Sequence, residues 1–195
     1  SVPVVNVALQ FDAGYASDAG GKLGTASFAA NMLDEGTASL DSVQIAQTRE
    51  RLGLNLSTGC GLDACTANAN LLKANMAPSL ALLADVVRNP AFRDADIERL
   101  RAQWIAGIGQ EKTQPVGLAL RVLPPLVYGA GHPYAIPFSG TGSEADIKAL
   151  TAADLRAWQS AWLRPDNVRI LVAGDTTLPE ITAQLDAVFG DWQAP

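Results

Sequence analysis

The sequence predicts an α+β fold, with a mixed, largely antiparallel sheet and helices packed on one face. Three observations support this class. Apolar segments typical of strands occur near the start, in the middle and near the end of the chain, and those in the middle alternate with a period of two. Two of these segments are separated only by a short polar turn, which is typical of an antiparallel hairpin. Stretches with helical spacing of apolar residues alternate irregularly with the strands.

The composition excludes several classes of protein. Of the 195 residues, 48% are hydrophobic and 17% are charged, which is enough apolar material for a packed core. The 20 acidic and 14 basic residues give a net charge of −6, and no Lys/Arg cluster is present, so we expect no nucleic-acid partner. No apolar run approaches the ~18 residues of a membrane span. The chain has one histidine, which excludes a site built from two of its own imidazoles.

The two ends suggest a piece of a longer protein. The sequence begins at Ser1 without an initiator Met or the regions of a signal peptide. It ends at Pro195 after a polar stretch typical of a linker. We therefore expect residues 1–195 to form a single α+β domain excised from a longer multi-domain protein.

The first predicted elements are a strand and two helices. Residues 4–11 are rich in β-branched side chains and predict a strand. Thr25 is the expected N-cap of the first helix, and Gly36 is expected to follow its C-terminal end. A second helix is predicted from Asp41 to Leu52.

The middle of the chain predicts the hairpin and two further helices. Residues 54–60 and 64–72 alternate with a period of two around a polar turn. Pro78 stands in the first turn of the next helix, which ends before Pro90. A long amphipathic helix is predicted over 94–110.

The last third predicts helices, a loop and one more strand. Residues 115–128 have helical spacing but contain Pro124 and Pro125, so we expect the helix to break there. Thr151 and Asp154 resemble a capping box at the start of a later helix. The other elements are a Gly/Pro-rich loop, that capped helix, a strand and a final helix (129–142, 151–162, 168–173 and 178–189).

Two small groups of residues could carry chemistry. Cys60 and Cys65 suit a disulfide that closes the hairpin in an oxidising compartment, or two buried free thiols, because the strand register decides whether their Cβ atoms can meet. They lack the further Cys or His of a zinc site. His132 lies in the Gly-rich loop before Pro133 and Tyr134, and we interpret it as part of a packed or hydrogen-bonded turn.

One segment resembles a known family. Residues 24–37 align without gaps with the segment G-L-A-H-F-L-E-H-M-L-F-K-G-T of the insulinase/pitrilysin family of inverted zinc metalloproteases, which includes mitochondrial processing peptidase. The agreeing positions are Gly24, Ala26, Phe28, Met32, Leu33, Gly36 and Thr37. Further similar blocks follow in the family's order, so the resemblance covers almost the whole chain (81–92, 132–134, 140–141, 147–155, 164–167 and 172–175).

The resemblance also implies that the zinc site is degenerate. In active members the H-x-x-E-H motif places two zinc-binding histidines on one helix face, and the glutamate polarises the zinc-bound water. The matching positions here are Ser27, Ala30 and Asn31. A third ligand follows another acid by about seven residues, and since Glu98 matches that acid, the ligand position falls on or near Ile105. We therefore predict no catalytic, cofactor-binding or metal-binding residue in this chain.

The resemblance also implies a function, partners and a location for the chain. The resemblance implies a non-catalytic domain of a bacterial zinc metalloendopeptidase, forming part of the wall of a peptide chamber. Its expected partners are the peptide substrate and a separate catalytic half, on the same or a neighbouring polypeptide, which would hold the zinc. Bacterial members with both halves in one chain are commonly exported to the periplasm, which would permit a Cys60–Cys65 bridge. Two alternatives stay open: a structural subunit like the core proteins of a respiratory complex, or a stand-alone peptide-binding module.

Overall fold

The structure, a computed structural model, describes residues 2–194. Over this range the strands are β1 Val4–Phe11, β2 Asn55–Cys60, β3 Cys65–Leu72 and β4 Val168–Gly174. The α-helices are α1 Thr25–Met32, α2 Ser42–Leu52, α3 Met76–Arg88, α4 Asp94–Glu111, α5 Pro115–Tyr128, α6 Glu144–Ala149, α7 Ala152–Trp162 and α8 Leu178–Phe189. The predicted strand bounds differ from these by one residue at most, whereas the short helix α6 is an element that the sequence pattern did not predict. None of the helices in the described range has both the length and the apolar content needed to cross a membrane.

The strands form one antiparallel sheet in the described part of the chain, in the order β2-β3-β1-β4. β1 is central: Val7 pairs with Ala69 of β3 on one side and with Val172 of β4 on the other. β2 and β3 are the predicted hairpin. The predicted α+β class with a largely antiparallel sheet is confirmed.

The helices cover one face of this sheet. Successive strand residues point to opposite faces, and in β1 the side chains of Val5, Val7 and Leu9 are at most 1% exposed whereas Asn6 is exposed. The buried face shares its core with α1, whose Phe28 is fully buried. The apolar side chains at alternating positions of the strands therefore explain why the helices lie on one side.

The opposite face of the sheet is open, and a row of amide side chains crosses three of its strands. Asn55 of β2, Asn70 of β3 and Asn6 of β1 are paired in register, so their side chains form one row across three strands. All three residues are exposed. A shallow depression of about 450 Å³ lies over this face. The sheet thus presents an uncharged row of amides to its surroundings.

The predicted break in α5 is wrong, because the helix continues through Pro124 and Pro125 to Tyr128. A proline inside a helix lacks the N–H that would bond to the carbonyl four residues earlier. For Pro124 that carbonyl belongs to Leu120, and it accepts instead the backbone N–H of Phe138 at 2.8 Å. A contact from the following loop thus satisfies the carbonyl that the proline leaves free.

The helix ends show how local sequence fixes element bounds. Asp41 caps α2 in a reciprocal box with Gln44, each side chain accepting the backbone N–H of the other. The predicted box at α7 is confirmed: the Asp154 N–H donates to Thr151 Oγ1 at 3.3 Å, and the Thr151 N–H donates to Asp154 Oδ2 at 2.8 Å. These two starts are set by residues only three positions apart.

Candidate functional site

The degenerate motif positions lie on α1. Ser27 and Ala30 are buried, with exposed fractions of 7% and 1%, and Asn31 is exposed. The Asn31 amide donates from Nδ2 to the carbonyl of Ser27 at 2.8 Å. The side chain that stands where the family has its second histidine is therefore bonded to the backbone of its own helix.

A backbone loop lies directly against Ser27. Gly140 has φ +70°, and a Cβ placed on it would lie 3.0 Å from Ser27 Oγ and 2.7 Å from the Tyr15 ring. Tyr15 fixes the approach, since its hydroxyl donates to the carbonyl of Phe138 at 2.9 Å. The space beside Ser27 is thus filled by this loop, which the resemblance gave no reason to expect.

Ala30 is fixed from the side of the sheet. The hydroxyl of Thr58 on β2 donates to the Ala30 carbonyl at 2.8 Å. With 1% of its surface exposed, the methyl group of Ala30 lies within the main core. A carboxylate at this position would enter an apolar environment without an assigned partner, and that is costly.

The expected third ligand position, Ile105 or a residue within a turn of it, falls on α4. Ile105 is partly buried and packs against the main core. Its neighbour Trp104 meets Phe28 of α1 edge to face, with ring centroids 5.5 Å apart, so α4 contacts the motif helix through an apolar pair. Glu98 is exposed and forms an ion pair with Arg101 at 3.1 Å. The structure brings α1 and α4 together by packing, and Glu98 faces solvent.

These side chains do not fit a zinc ion. Zinc is held by thiolate, imidazole or carboxylate groups, whereas the four motif positions offer a hydroxyl, a methyl, an amide and a branched alkyl group. Across residues 2–194 no group of three or more His, Cys, Asp or Glu side chains is placed to hold a metal ion. No chemical step at this site can be derived through a metal.

The cap of α1 differs from the prediction. Thr25 is the first helical residue, and its hydroxyl donates to the Lys22 carbonyl at 2.6 Å. The capping position belongs to Gly24, whose backbone has φ 95°. The carboxylate of Asp18 accepts the N–H of Gly24 at 3.0 Å and that of Ala26 at 3.2 Å. Asp18 therefore caps the helix in place of Thr25.

Asp18 is the most perturbed carboxyl near the site. Its side chain is 6% exposed, and this burial raises its pKa from 3.8 to about 7. Hydrogen bonds from the backbone N–H groups of Ala26, Gly24 and Thr25 lower the pKa of Asp18, and the negative charge of Asp146 raises it. Asp18 lies six residues before Gly24, outside the position at which an N-cap residue is expected, so the capping pattern did not identify it.

A half-buried ion pair holds the loop over the site. Arg121 of α5 lies 2.8 Å from Glu111 of α4. The hydroxyl of Thr141 donates to the same carboxylate at 2.9 Å, and Arg121 also donates to the carbonyl of Gly142. The segment that covers Ser27 is thus tied to two helices.

His132 lies in an exposed cluster of aromatic rings. Its imidazole stacks on Tyr128 with ring centroids 4.9 Å apart, and its Nδ1 accepts the backbone N–H of Tyr134 at 3.0 Å. The Tyr134 hydroxyl donates to Asp63 at 2.6 Å. This arrangement agrees with the interpretation of His132 as a hydrogen-bonded turn residue.

Cys60 and Cys65 form a disulfide in the structure. They are directly paired at the end of the β2–β3 ladder, with Cα atoms 3.9 Å apart. The sequence left open a disulfide or two buried free thiols, and the structure contains the disulfide. It closes the hairpin next to the segment that leads into α1, where the Tyr15 N–H donates to the carbonyl of Gly61.

Comparison with known families places the chain among the M16 peptidases. Residues 1–124 match the insulinase family (peptidase family M16), and residues 149–195 match the peptidase M16 inactive domain. The chain therefore belongs to the M16 family, and the predicted membership is confirmed.

Solved structures share its fold over nearly its whole length. A crystal structure of a peptidase M16 inactive domain from Pseudomonas fluorescens aligns with a TM-score of 0.91 and 30% identity, covering 100% of this chain and 47% of the other. The periplasmic protease PqqL from Escherichia coli aligns with a TM-score of 0.86 at 20% identity, covering 99% of this chain and 22% of PqqL. The arrangement of helices and strands is thus that of an M16 domain.

A curated relative from Helicobacter pylori is described as the non-peptidase homolog YmxG. It is 22% identical over 185 residues, which are 95% of this chain and 42% of the relative. The chain spans less than half the length of the curated relatives it matches.

Proposed function

We propose that this chain is a non-catalytic domain of an M16-type zinc metalloprotease and forms part of the wall of its peptide-binding chamber. The observation that carries the proposal is the state of α1. Ser27, Ala30 and Asn31 stand where active members have two zinc ligands and a base, and the helix around them is packed as ordinary core. In this proposal the zinc and the catalytic step belong to a separate half, on the same or a neighbouring polypeptide.

The open face of the sheet supplies the wall. The row formed by Asn6, Asn55 and Asn70 is exposed and carries no charge. Each amide can donate and accept hydrogen bonds, as the main chain of an extended peptide does. Such a surface suits contact with peptides of varied sequence, which is what a chamber wall requires.

The lack of zinc ligands at the four motif positions explains why, in this proposal, the chain would not cleave peptides by itself. Zinc lowers the pKa of a bound water from about 15.7 to about 7 and so supplies a hydroxide-like nucleophile at neutral pH. The four motif positions of this chain offer no such ligand set, and His132 lies in the exposed aromatic cluster. The chain would contribute binding and orientation, which are themselves a large part of catalysis.

A cleavage assay with and without chelator tests this role, using the wild-type chain and two variants. The first variant restores the motif on α1 (Ser27→His, Ala30→Glu and Asn31→His), and the second adds Ile105→Glu. We expect no chelator-sensitive cleavage by the wild type and little by the first variant, because its third ligand position is still apolar. Tight zinc binding should require the fourth substitution, and cleavage should still be slow without the facing half. Chelator-sensitive cleavage by the wild type would contradict the proposal.

A second candidate is a purely structural subunit, and the description of the H. pylori relative as a non-peptidase homolog favours it. The full gene and its neighbours distinguish the protease role from the structural role. An intact H-x-x-E-H motif in the parent polypeptide or in a neighbouring gene supports the protease role, and its absence from both supports the structural one.

Two further parts of the proposal concern the parent protein. We place it in the periplasm, where disulfides persist, since Cys60 and Cys65 are bridged and the structural neighbour PqqL is described as a periplasmic protease. We also propose that residues 1–195 are one α+β domain of a longer chain, because they match less than half of each curated relative. Fractionation of the native host and sequencing of the full gene test these two points.

A further inference from the structure

Helix α5 exposes an unusual amount of apolar surface. Val116, Leu126 and Val127 are each more than 70% exposed, and Leu123 is 54% exposed. The large apolar residues of α5 that are exposed are Val116, Leu118, Leu120, Val122, Leu123, Leu126, Val127 and Tyr128, which we call the α5 surface. Monomeric proteins rarely expose contiguous apolar patches of more than a few hundred Å² unless the patch has a function.

The helix is held to the rest of the molecule by polar contacts. Arg121, the charged residue of α5, turns inward to the carboxylate of Glu111. The carbonyl of Leu120 accepts the N–H of Phe138. Within the described chain Pro124 is the one buried residue of α5. The helix is therefore fixed in position while its apolar side chains face outward without charge among them.

The spacing of the exposed residues fits a helical partner. Val116, Leu120, Leu123 and Val127 follow one another at intervals of four, three and four residues, which is the pattern of a helix that packs along another helix. With Phe138 they line a groove of about 490 Å³. A stripe of this kind extends over about three turns, or roughly 16 Å.

We propose that the α5 surface is covered by an apolar helix from a second unit of the parent polypeptide. This inference rests on the proposed function, in which the chain is one part of a larger protease. More than half of each curated relative lies outside the matched span, so the relatives carry additional chain that could supply such a helix.

The chemistry of the surface favours a permanent partner over a peptide in transit. Ligand sites usually combine apolar walls with a few polar groups that orient the ligand, whereas the α5 groove has the Tyr128 hydroxyl and otherwise apolar side chains. Permanent interfaces are more apolar and are depleted in charge at their centre. The α5 surface therefore resembles a permanent interface more than a ligand site.

The same substitutions made in two contexts test the proposal. The variant Leu123→Lys/Val127→Lys is compared with Val43→Lys on α2, where the valine is 62% exposed, both in the 195-residue chain and in the full-length parent polypeptide. In the 195-residue chain we expect a monomer by sedimentation velocity and Tm values within about 1 °C of wild type for both variants. In the full-length protein we expect the α5 variant to lower Tm by about 4 °C or more, and the control to leave it unchanged.

Three outcomes would overturn the inference. An unchanged Tm of the full-length α5 variant would show that the surface is uncovered. A dimer of the 195-residue chain that the α5 variant dissociates would make a second copy the occupant. A parent polypeptide without a further folded unit would remove the partner. The cleavage assay is read separately, so a failure of the proposed function is distinguishable from a failure of this interface.

Discussion

Single side chains of α1 show how the positions that match the family's motif are packed in this chain. Asn31 bonds to its own helix, and Ala30 fills a place in the core. Ser27 lies against the backbone of Gly140, which approaches closely because glycine has no Cβ. Each residue is small enough for the loop, the helix and the sheet to close on one another, and a larger imidazole at Ser27 would displace the loop.

The close approach of Gly140 predicts a stability effect. Gly140→Ala should destabilise the chain by about 2–4 kcal/mol, because the added methyl meets both Tyr15 and Ser27 and the positive φ disfavours alanine. Gly20→Ala is the matched control. Gly20 has φ +84°, and within the described part of the chain nothing lies within 4 Å of its added Cβ. Urea denaturation should show the control losing only about 1–2 kcal/mol, and equal losses for the two variants would contradict the packing described at Ser27.

Asp18 predicts a dependence of stability on pH. Its pKa rises from 3.8 to about 7 on folding, mainly through burial. Between these values the folded state binds more protons than the unfolded state, so the free energy of unfolding falls as the pH rises from about 4 to about 7. Above pH 7 the cost of the buried charge is fully present, and we expect it to be on the order of 1–4 kcal/mol.

The variant Asp18→Asn checks this behaviour, because it keeps the shape of the side chain and removes its titration. The loss of Tm between pH 5 and pH 8 should be larger in the wild type than in the variant. All other ionisable groups are present in both proteins, so the comparison isolates the contribution of Asp18. Parallel pH profiles would show that Asp18 has an ordinary pKa in the folded chain.

Among helices and strands, the predictions were right where the determining residues are close in sequence. The hairpin over 54–60 and 64–72 follows from alternation, and the box at α7 follows from Thr151 and Asp154. The break in α5 was wrong because a distant N–H replaces the one that Pro124 lacks. The predicted cap of α1 was wrong because Asp18, six residues before Gly24, does not stand at the N-cap position where a capping side chain is expected.

The hairpin carries a prediction of its own. Oxidised protein should contain no titratable thiol and reduced protein should contain two, because Cys60 and Cys65 are bridged. Replacing both by alanine should reduce the free energy of unfolding by about 2 kcal/mol or less, since the closed loop is short and the strands already pair. Reduction of the wild type is the matched control and should give a similar loss. Two free thiols in protein prepared under oxidising conditions would favour the other interpretation of this pair.

For the molecule as a whole, the sequence could predict the family but not the environment around the motif positions on α1. The match at 24–37 identified Ser27, Ala30 and Asn31, because the helix keeps the family's spacing. The segment that covers Ser27 comes from residues more than a hundred positions later and is held by Arg121 and Glu111. Contacts of this range depend on the complete fold.

The two surfaces on which the proposals rest differ in how far the sequence predicts them. The row of Asn6, Asn55 and Asn70 follows from alternation in β1, β2 and β3, which the sequence shows. The exposure of α5 does not, because apolar residues at helical spacing normally predict a buried helix. Only the fold shows that these side chains face outward.

Metal analysis of the purified chain decides whether α1 has been interpreted correctly. The protein would be equilibrated with zinc, passed through a desalting column and measured by mass spectrometry for zinc per chain. The variant Ser27→His/Ala30→Glu/Asn31→His/Ile105→Glu is the comparison, provided that circular dichroism shows it to be folded. We predict no stoichiometric zinc in the wild type, because its four motif positions lack the ligands that zinc requires. One zinc per wild-type chain, lost on substitution of residues on α1, would contradict the interpretation of α1 as a packing helix without a metal site.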